Sequence, residues 1–77
     1  MFEQLQQLAA CGRPWAEQRA QMALQLAEAY ARREISDSEY QELMADIVRS
    51  DQLDAEADDL DVKSALVSAV MIAGNLA

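Results

Sequence analysis

Ile35-Ser36-Asp37-Ser38-Glu39-Tyr40-Gln41-Glu42-Leu43-Met44-Ala45-Asp46-Ile47-Val48 is the stretch on which the architecture turns. Ser36 followed three residues later by Glu39 is the spacing of a capping box. The serine hydroxyl accepts from the Glu39 amide, and the glutamate carboxylate accepts from the serine amide. Ile35 and Tyr40 stand where a hydrophobic staple holds the chain at a helix start. Beyond the cap, Tyr40, Leu43, Met44, Ile47 and Val48 repeat at i, i+3, i+4, i+7 and i+8, the apolar stripe of an amphipathic helix. The spacing predicts a helix over 37–49.

Working backwards, Glu34-Ile35-Ser36 is too short to let the preceding segment wander. That segment is helical in pattern over 15–34, with no glycine or proline inside it. The two helices are therefore antiparallel neighbours, an αα-hairpin. Trp15, Met22, Leu26, Ala29 and Tyr30 form a stripe of larger residues. Ala16, Ala20, Ala23, Ala27 and Ala31 run beside it as a ridge of small ones, suited to close helix packing. Arg32 and Arg33 stand where cations complement a helix C-terminus. Further back, Cys11-Gly12-Arg13-Pro14 separates a short amphipathic helix at 2–10, carrying Phe2, Leu5, Leu8 and Ala9 inward. Glycine suits the end of one helix and proline the first turn of the next.

Working forwards, Ser50 or Asp51 is placed to cap a last helix over 52–73. Its first half is crowded with Asp51, Asp54, Glu56, Asp58, Asp59 and Asp61, while Leu53, Ala57, Leu60 and Ser64 keep helical spacing. From Val62 onward the segment is apolar on nearly every side, and Gly74-Asn75 reads as its C-terminal stop. Val62, Leu66, Val67, Val70, Met71 and Ile72 wrap further round the helix than a small bundle is expected to cover. Ala65, Ala69 and Ala73 form a thin face that a second chain could approach. The last helix is therefore expected to be an association surface. The competing expectation is that the first helix folds over it and closes a four-helix monomer.

The expected fold class is all-α: one helical domain spanning 1–77, a bundle of three to four helices built on the central hairpin. Hydrophobic residues make up 52% of the 77 residues, enough to argue against compositional disorder. Aromatics are only 5%, so a core rich in alanine gains from a partner chain. The net charge of −8 is lopsided. In residues 1–33 four arginines outnumber three acids, whereas in 34–77 only Arg49 and Lys63 face eleven acids. Binding to nucleic-acid phosphates works through cations and counterion release, so direct nucleic-acid binding is not expected. The last helix is too short and too interrupted to span a bilayer. The N-terminus lacks the basic and apolar regions of a signal peptide. The lone Cys11 fits a reducing compartment, and a cytoplasmic location is expected.

Catalytic constellations are missing from the sequence. There is no histidine, one cysteine and two glycines, so no Ser-His or Cys-His arrangement, phosphate loop or zinc pattern arises. The acidic run lacks the glycine and ligand spacing of a calcium loop and reads as a solvated helix face. No enzyme activity, cofactor or metal is expected. Cys11 beside Arg13 could be a mildly activated thiol, but a lone cysteine in a turn is more simply a small hydrophobe. The candidate partner-binding residues are Trp15, Val62, Leu66, Val70 and Met71, with Asp54, Asp58 and Asp59 from the acidic run. Trp15 also suits the role of core anchor.

Three pieces together carry a resemblance: Arg13-Pro14-Trp15-Ala16-Glu17-Gln18-Arg19, Glu34-Ile35-Ser36-Asp37-Ser38-Glu39-Tyr40-Gln41-Glu42-Leu43, and Ala57-Asp58-Asp59-Leu60. The chain resembles small acidic helical accessory proteins of large tailed phages. The resemblance implies an accessory role in virion assembly or host takeover, in the host cytoplasm or the virion, with no catalytic motif to carry over. The expected function is therefore non-enzymatic, through protein–protein contacts in virion assembly or structure, with the homo-oligomer expected from the last helix. The alternative is an acidic inhibitor that occupies a basic, nucleic-acid-binding surface of a host or phage enzyme.

Overall fold

The capping box forms as the spacing predicts. The Glu39 amide donates to Ser36 Oγ at 3.2 Å and the Ser36 amide donates to Glu39 Oε1 at 3.2 Å. In the computed structural model, which describes residues 2–49 and 51–75, this box opens helix α3, Asp37–Val48. Among the described residues four further helices accompany it, and no strand: α1 Glu3–Leu8, α2 Pro14–Ala31, α4 Asp51–Glu56 and α5 Leu60–Gly74. Three full-length helices and two short ones thus make the all-α bundle, with α2 and α3 as the antiparallel hairpin. Ser36→Ala is expected to cost about 0.5–2 kcal/mol, because the Glu39 amide loses its acceptor. A urea midpoint unchanged within error would show that the cap contributes nothing.

Helix α2 stops three residues short of the expected 34. Arg33 takes a left-handed backbone, φ 61°. Its amide donates to the Tyr30 carbonyl and the Glu34 amide to the Ala29 carbonyl, each at 3.0 Å. That pair of bonds is a Schellman motif, which normally uses glycine at the position Arg33 holds. With no glycine to flag it, the stop was invisible in the pattern. At the other end, Gly12 takes φ 87° in the turn between α1 and α2, and its amide donates to Glu17 Oε2 at 2.9 Å.

The expected helix over 52–73 is two helices. Residues 57–59 are non-helical, and Asp59 caps α5 by accepting from the Asp61 and Val62 amides at 3.0 and 3.1 Å. The 53, 57, 60, 64 spacing suggested continuity, but only its first residue is buried in the core: Leu60 and Ser64 are exposed. Leu53 is fully buried there. Ser50, one of the two candidate caps for this region, lies outside the described residues.

The core joins Leu5 and Leu8 of α1, the α2 alanines 16, 20, 23 and 27, Tyr40, Met44 and Ile47 of α3, Leu53, and Leu66, Ala69, Val70 and Ala73 of α5. Helix α5 packs against α1, α2 and α3. Two expectations about α5 change accordingly. Leu66 and Val70 are 0% exposed and belong to the core, so neither can face a partner. The thin alanine face is likewise occupied from within: Ala69 and Ala73 are buried, and a Cβ on Gly74 would sit 3.3 Å from Met44 Cβ. Gly74 is the last residue of α5 and a close-packing point with α3; Asn75 is the cap. Tyr40 completes this contact. Its hydroxyl donates to the Ala73 carbonyl at 2.8 Å, and its ring stacks on Tyr30 at 4.3 Å between centroids.

Candidate interaction surfaces

The acidic run stays largely exposed, as expected of a solvated face, but three of its carboxylates are also tied back to the start of α2. Trp15 Nε1 donates to Asp58 Oδ1 at 3.0 Å, and the Arg13 guanidinium lies 3.6 Å from that oxygen and 3.0 Å from Asp59 Oδ2. Arg19, largely buried, donates to Glu56 Oε2 at 2.9 Å and to the Trp15 carbonyl at 3.0 Å. Asp54 accepts from Lys63 Nζ at 2.6 Å. The arrangement follows from local rules. Pro14 starts α2 and places Arg13, Trp15 and Arg19 on its first two turns, while the break at 57–59 presents carboxylates to them. Asp54, Asp58 and Asp59 therefore serve the fold as cap and ion-pair partners, and Trp15 is a buried anchor.

Asp59 carries the clearest electrostatic signature in this belt. The Val62 amide that it accepts from, with Arg13 beside it, holds its carboxyl below the usual aspartate range. A folded-state value below the unfolded one stabilises the fold above the ordinary aspartate pKa, and that stabilisation is lost as pH falls through the depressed value. Asp59→Asn keeps a capping oxygen but removes the charge. Its melting temperature is expected to be lower than wild type at neutral pH and to converge with wild type in acid. Parallel melting curves at every pH would contradict this role.

Of the remaining candidates, Val62 is half-buried and Met71 is exposed. Met71 belongs to a face whose extent the sequence did not show. Leu60, Met71 and Ile72 are 77%, 42% and 60% exposed. From Ser64 to Asn75 the exposed residues of α5 are Ser64, Ser68, Met71, Ile72 and Asn75, none of them charged. On a chain of net charge −8, such a face is a place where two acidic molecules can meet without opposing carboxylates.

A second apolar surface lies on the hairpin, on a side of α2 and α3 that α5 does not cover. Met22 and Leu43, 51% and 40% exposed, line it with Gln25, Leu26, Asp46 and Ile47 around a cleft of about 360 Å³. A neighbouring cleft of about 320 Å³ shares Met22, Asp46 and Ile47 and runs on to Gln18, Arg19, Gln52 and Glu56. The sequence placed Met22, Leu26, Leu43 and Ile47 in apolar stripes and so hid them in an expected core. Their exposure in the folded hairpin shows that Met22 and Leu43 stay outside it.

Cys11 is exposed in the α1–α2 turn, not packed as a small hydrophobe. Among the described residues no group of three His, Cys, Asp or Glu side chains is placed to hold a metal ion. None of the described helices is long and apolar enough to cross a membrane. Comparison with known proteins gives no match to a family model, a curated protein or a solved structure.

Proposed function

We propose that this protein is a non-enzymatic accessory factor that works by protein–protein contact, with self-association through the outer face of α5. The observation that carries this reading is the charge-free exposed run Ser64, Ser68, Met71 and Ile72 on a strongly acidic chain; Leu60 adds apolar surface at the helix start, beside the exposed Asp61. An isologous pairing of two such faces brings serines into close approach and buries the larger side chains beside them. A bundle of 77 residues with an alanine-rich core gains stability from that burial. The resemblance to small acidic phage proteins supports an assembly or structural role for the resulting oligomer. The reading as an inhibitor of a basic surface draws less support, because Glu56, Asp58 and Asp59 already hold Arg13, Trp15 and Arg19.

Sedimentation equilibrium tests the reading. Wild type is expected to exceed monomer mass at tens of micromolar and to stay associated as salt rises, since an apolar contact is little screened. The double variant Met71→Lys/Ile72→Lys alters exposed positions only and is expected to be a folded monomer. A wild-type chain that stays monomeric across this range would sink the proposal.

A further inference from the structure

We infer that the groove between α2 and α3 is a docking site for an amphipathic helix of a partner protein, one that carries lysine or arginine along one edge. The proposal does not depend on self-association, because the groove and the outer face of α5 are different surfaces.

The groove has the shape and chemistry of a helix seat. Along α2 it runs from Gln18 to Leu26, nine residues with a rise of about 12 Å along the helix axis. That length matches two turns of a docked helix, whose apolar anchors at i, i+3 or i+4, and i+7 would lie along Met22, Leu26, Leu43 and Ile47. The helices themselves form the walls, so the seat exists before anything binds.

Its two rims differ in charge, and this selects the occupant. On the α2 side the rim is Gln18 and Gln25, polar and neutral. On the α3 side it carries Asp46, with exposed Glu42 one turn before it; Glu56, at the α4 end, is already taken up by Arg19 and Gln52. The cation in the lining, Arg19, is largely buried and its charge is already paired with Glu56, while the same nitrogen also donates to the Trp15 carbonyl. A helix lying here meets carboxylates along one edge and amides along the other. Electrostatic complementarity then calls for cations on the first edge and neutral polar residues on the second. A second copy of this chain meeting the groove through α5 is a poor fit, since the exposed ridge of α5 supplies no cation to Asp46 or Glu42.

Three designed helical peptides of equal length provide the test. All share one leucine stripe at i, i+3, i+4 and i+7, and differ only at one flanking edge, which is lysine, glutamine or glutamate. Binding is followed by fluorescence anisotropy and mapped by amide chemical-shift changes on the labelled protein. The lysine-edged peptide is expected to bind about tenfold more tightly than the glutamine-edged one, to weaken with salt, and to move resonances of Met22, Leu26, Leu43 and Ile47. Met22→Lys/Leu43→Lys changes exposed positions only, so it is expected to fold as wild type and to lose the lysine-edged peptide. Asp46→Asn is expected to reduce the preference for lysine and to leave the glutamine-edged peptide unaffected. Equal binding of the glutamate-edged peptide, shifts centred on Leu60, Met71 and Ile72, or no binding by any peptide would each overturn the inference. So would a drop in the mass of the protein alone in the Met22→Lys/Leu43→Lys variant, because it would make the groove a contact between copies.

Discussion

Tyr40→Ala is expected to lower the stability of the fold by about 3–5 kcal/mol. A chain of 77 residues has roughly 4–12 kcal/mol in total on the usual per-residue scale, so this variant stands at the edge of unfolding. The magnitude follows from where the ring lies. Tyr40 is almost wholly buried, stacked on Tyr30, with its hydroxyl donating to the Ala73 carbonyl in the last turn of α5. Helix ends leave carbonyls without an intrahelical donor, and this one finds its donor on another helix. The same residue thus fills the α2–α3 hairpin and fastens α5 to it. Tyr40→Phe separates the two roles: it keeps the ring and loses only the hydroxyl, at about 1–3 kcal/mol. Urea unfolding followed by circular dichroism checks both. A loss under 1 kcal/mol for the alanine variant would mean that the ring does not hold the helices together.

Val70→Asp is the second large effect. The site has no exposed surface, so a carboxylate there must stay charged without a partner or take up a proton, and either route is costly. Losses above about 4 kcal/mol are expected from such a buried charge, enough to unfold this chain at neutral pH. Ile72→Asp, two residues along and exposed, is expected to remain helical. Circular dichroism spectra of the pair decide the point. A folded Val70→Asp protein with an unchanged midpoint would place Val70 on the surface and dismantle the packing described for α5.

These two residues also mark how far the sequence could be read. Tyr40 was legible because local rules converge on it: a serine cap, a glutamate at N3, and an apolar stripe of period 3.6 behind them. Local signals of this kind recovered the hairpin, the α1–α2 break at Gly12 and Pro14, and the all-α class. Val70 was not legible in the same way. A helix apolar on nearly all sides does not say which side is core, because that is settled by where α1, α2 and α3 lie against it. The split at 57–59 has a sequence signal, an aspartate at N-cap spacing before an apolar run, but the continuing 3.6 period masks it. The pairing of Trp15 with Asp58 and of Arg19 with Glu56 had none, since 43 and 37 residues separate the partners. Burial of the tryptophan was foreseeable; the carboxylate that receives its indole N–H was not. The same holds for the interaction surfaces. Met71 and Ile72 were named in the sequence among the residues of an association surface, whereas Leu60 and the Met22–Leu43 groove emerge only once the core has claimed Leu66 and Val70.

The central claim is that two copies meet through the outer face of α5, and a cysteine at its centre tests this most directly. In a Cys11→Ser background, Ser68→Cys places one thiol on the exposed middle of the helix. A disulfide forms readily only where the two Cα atoms come within about 7 Å. Mild oxidation at tens of micromolar is expected to give a covalent dimer of Ser68→Cys with helical content intact. A matched Gln25→Cys protein, with its thiol on the hairpin side, is expected to stay monomeric under the same conditions. Failure of Ser68→Cys to cross-link, or equal cross-linking of both proteins, would contradict self-association through α5.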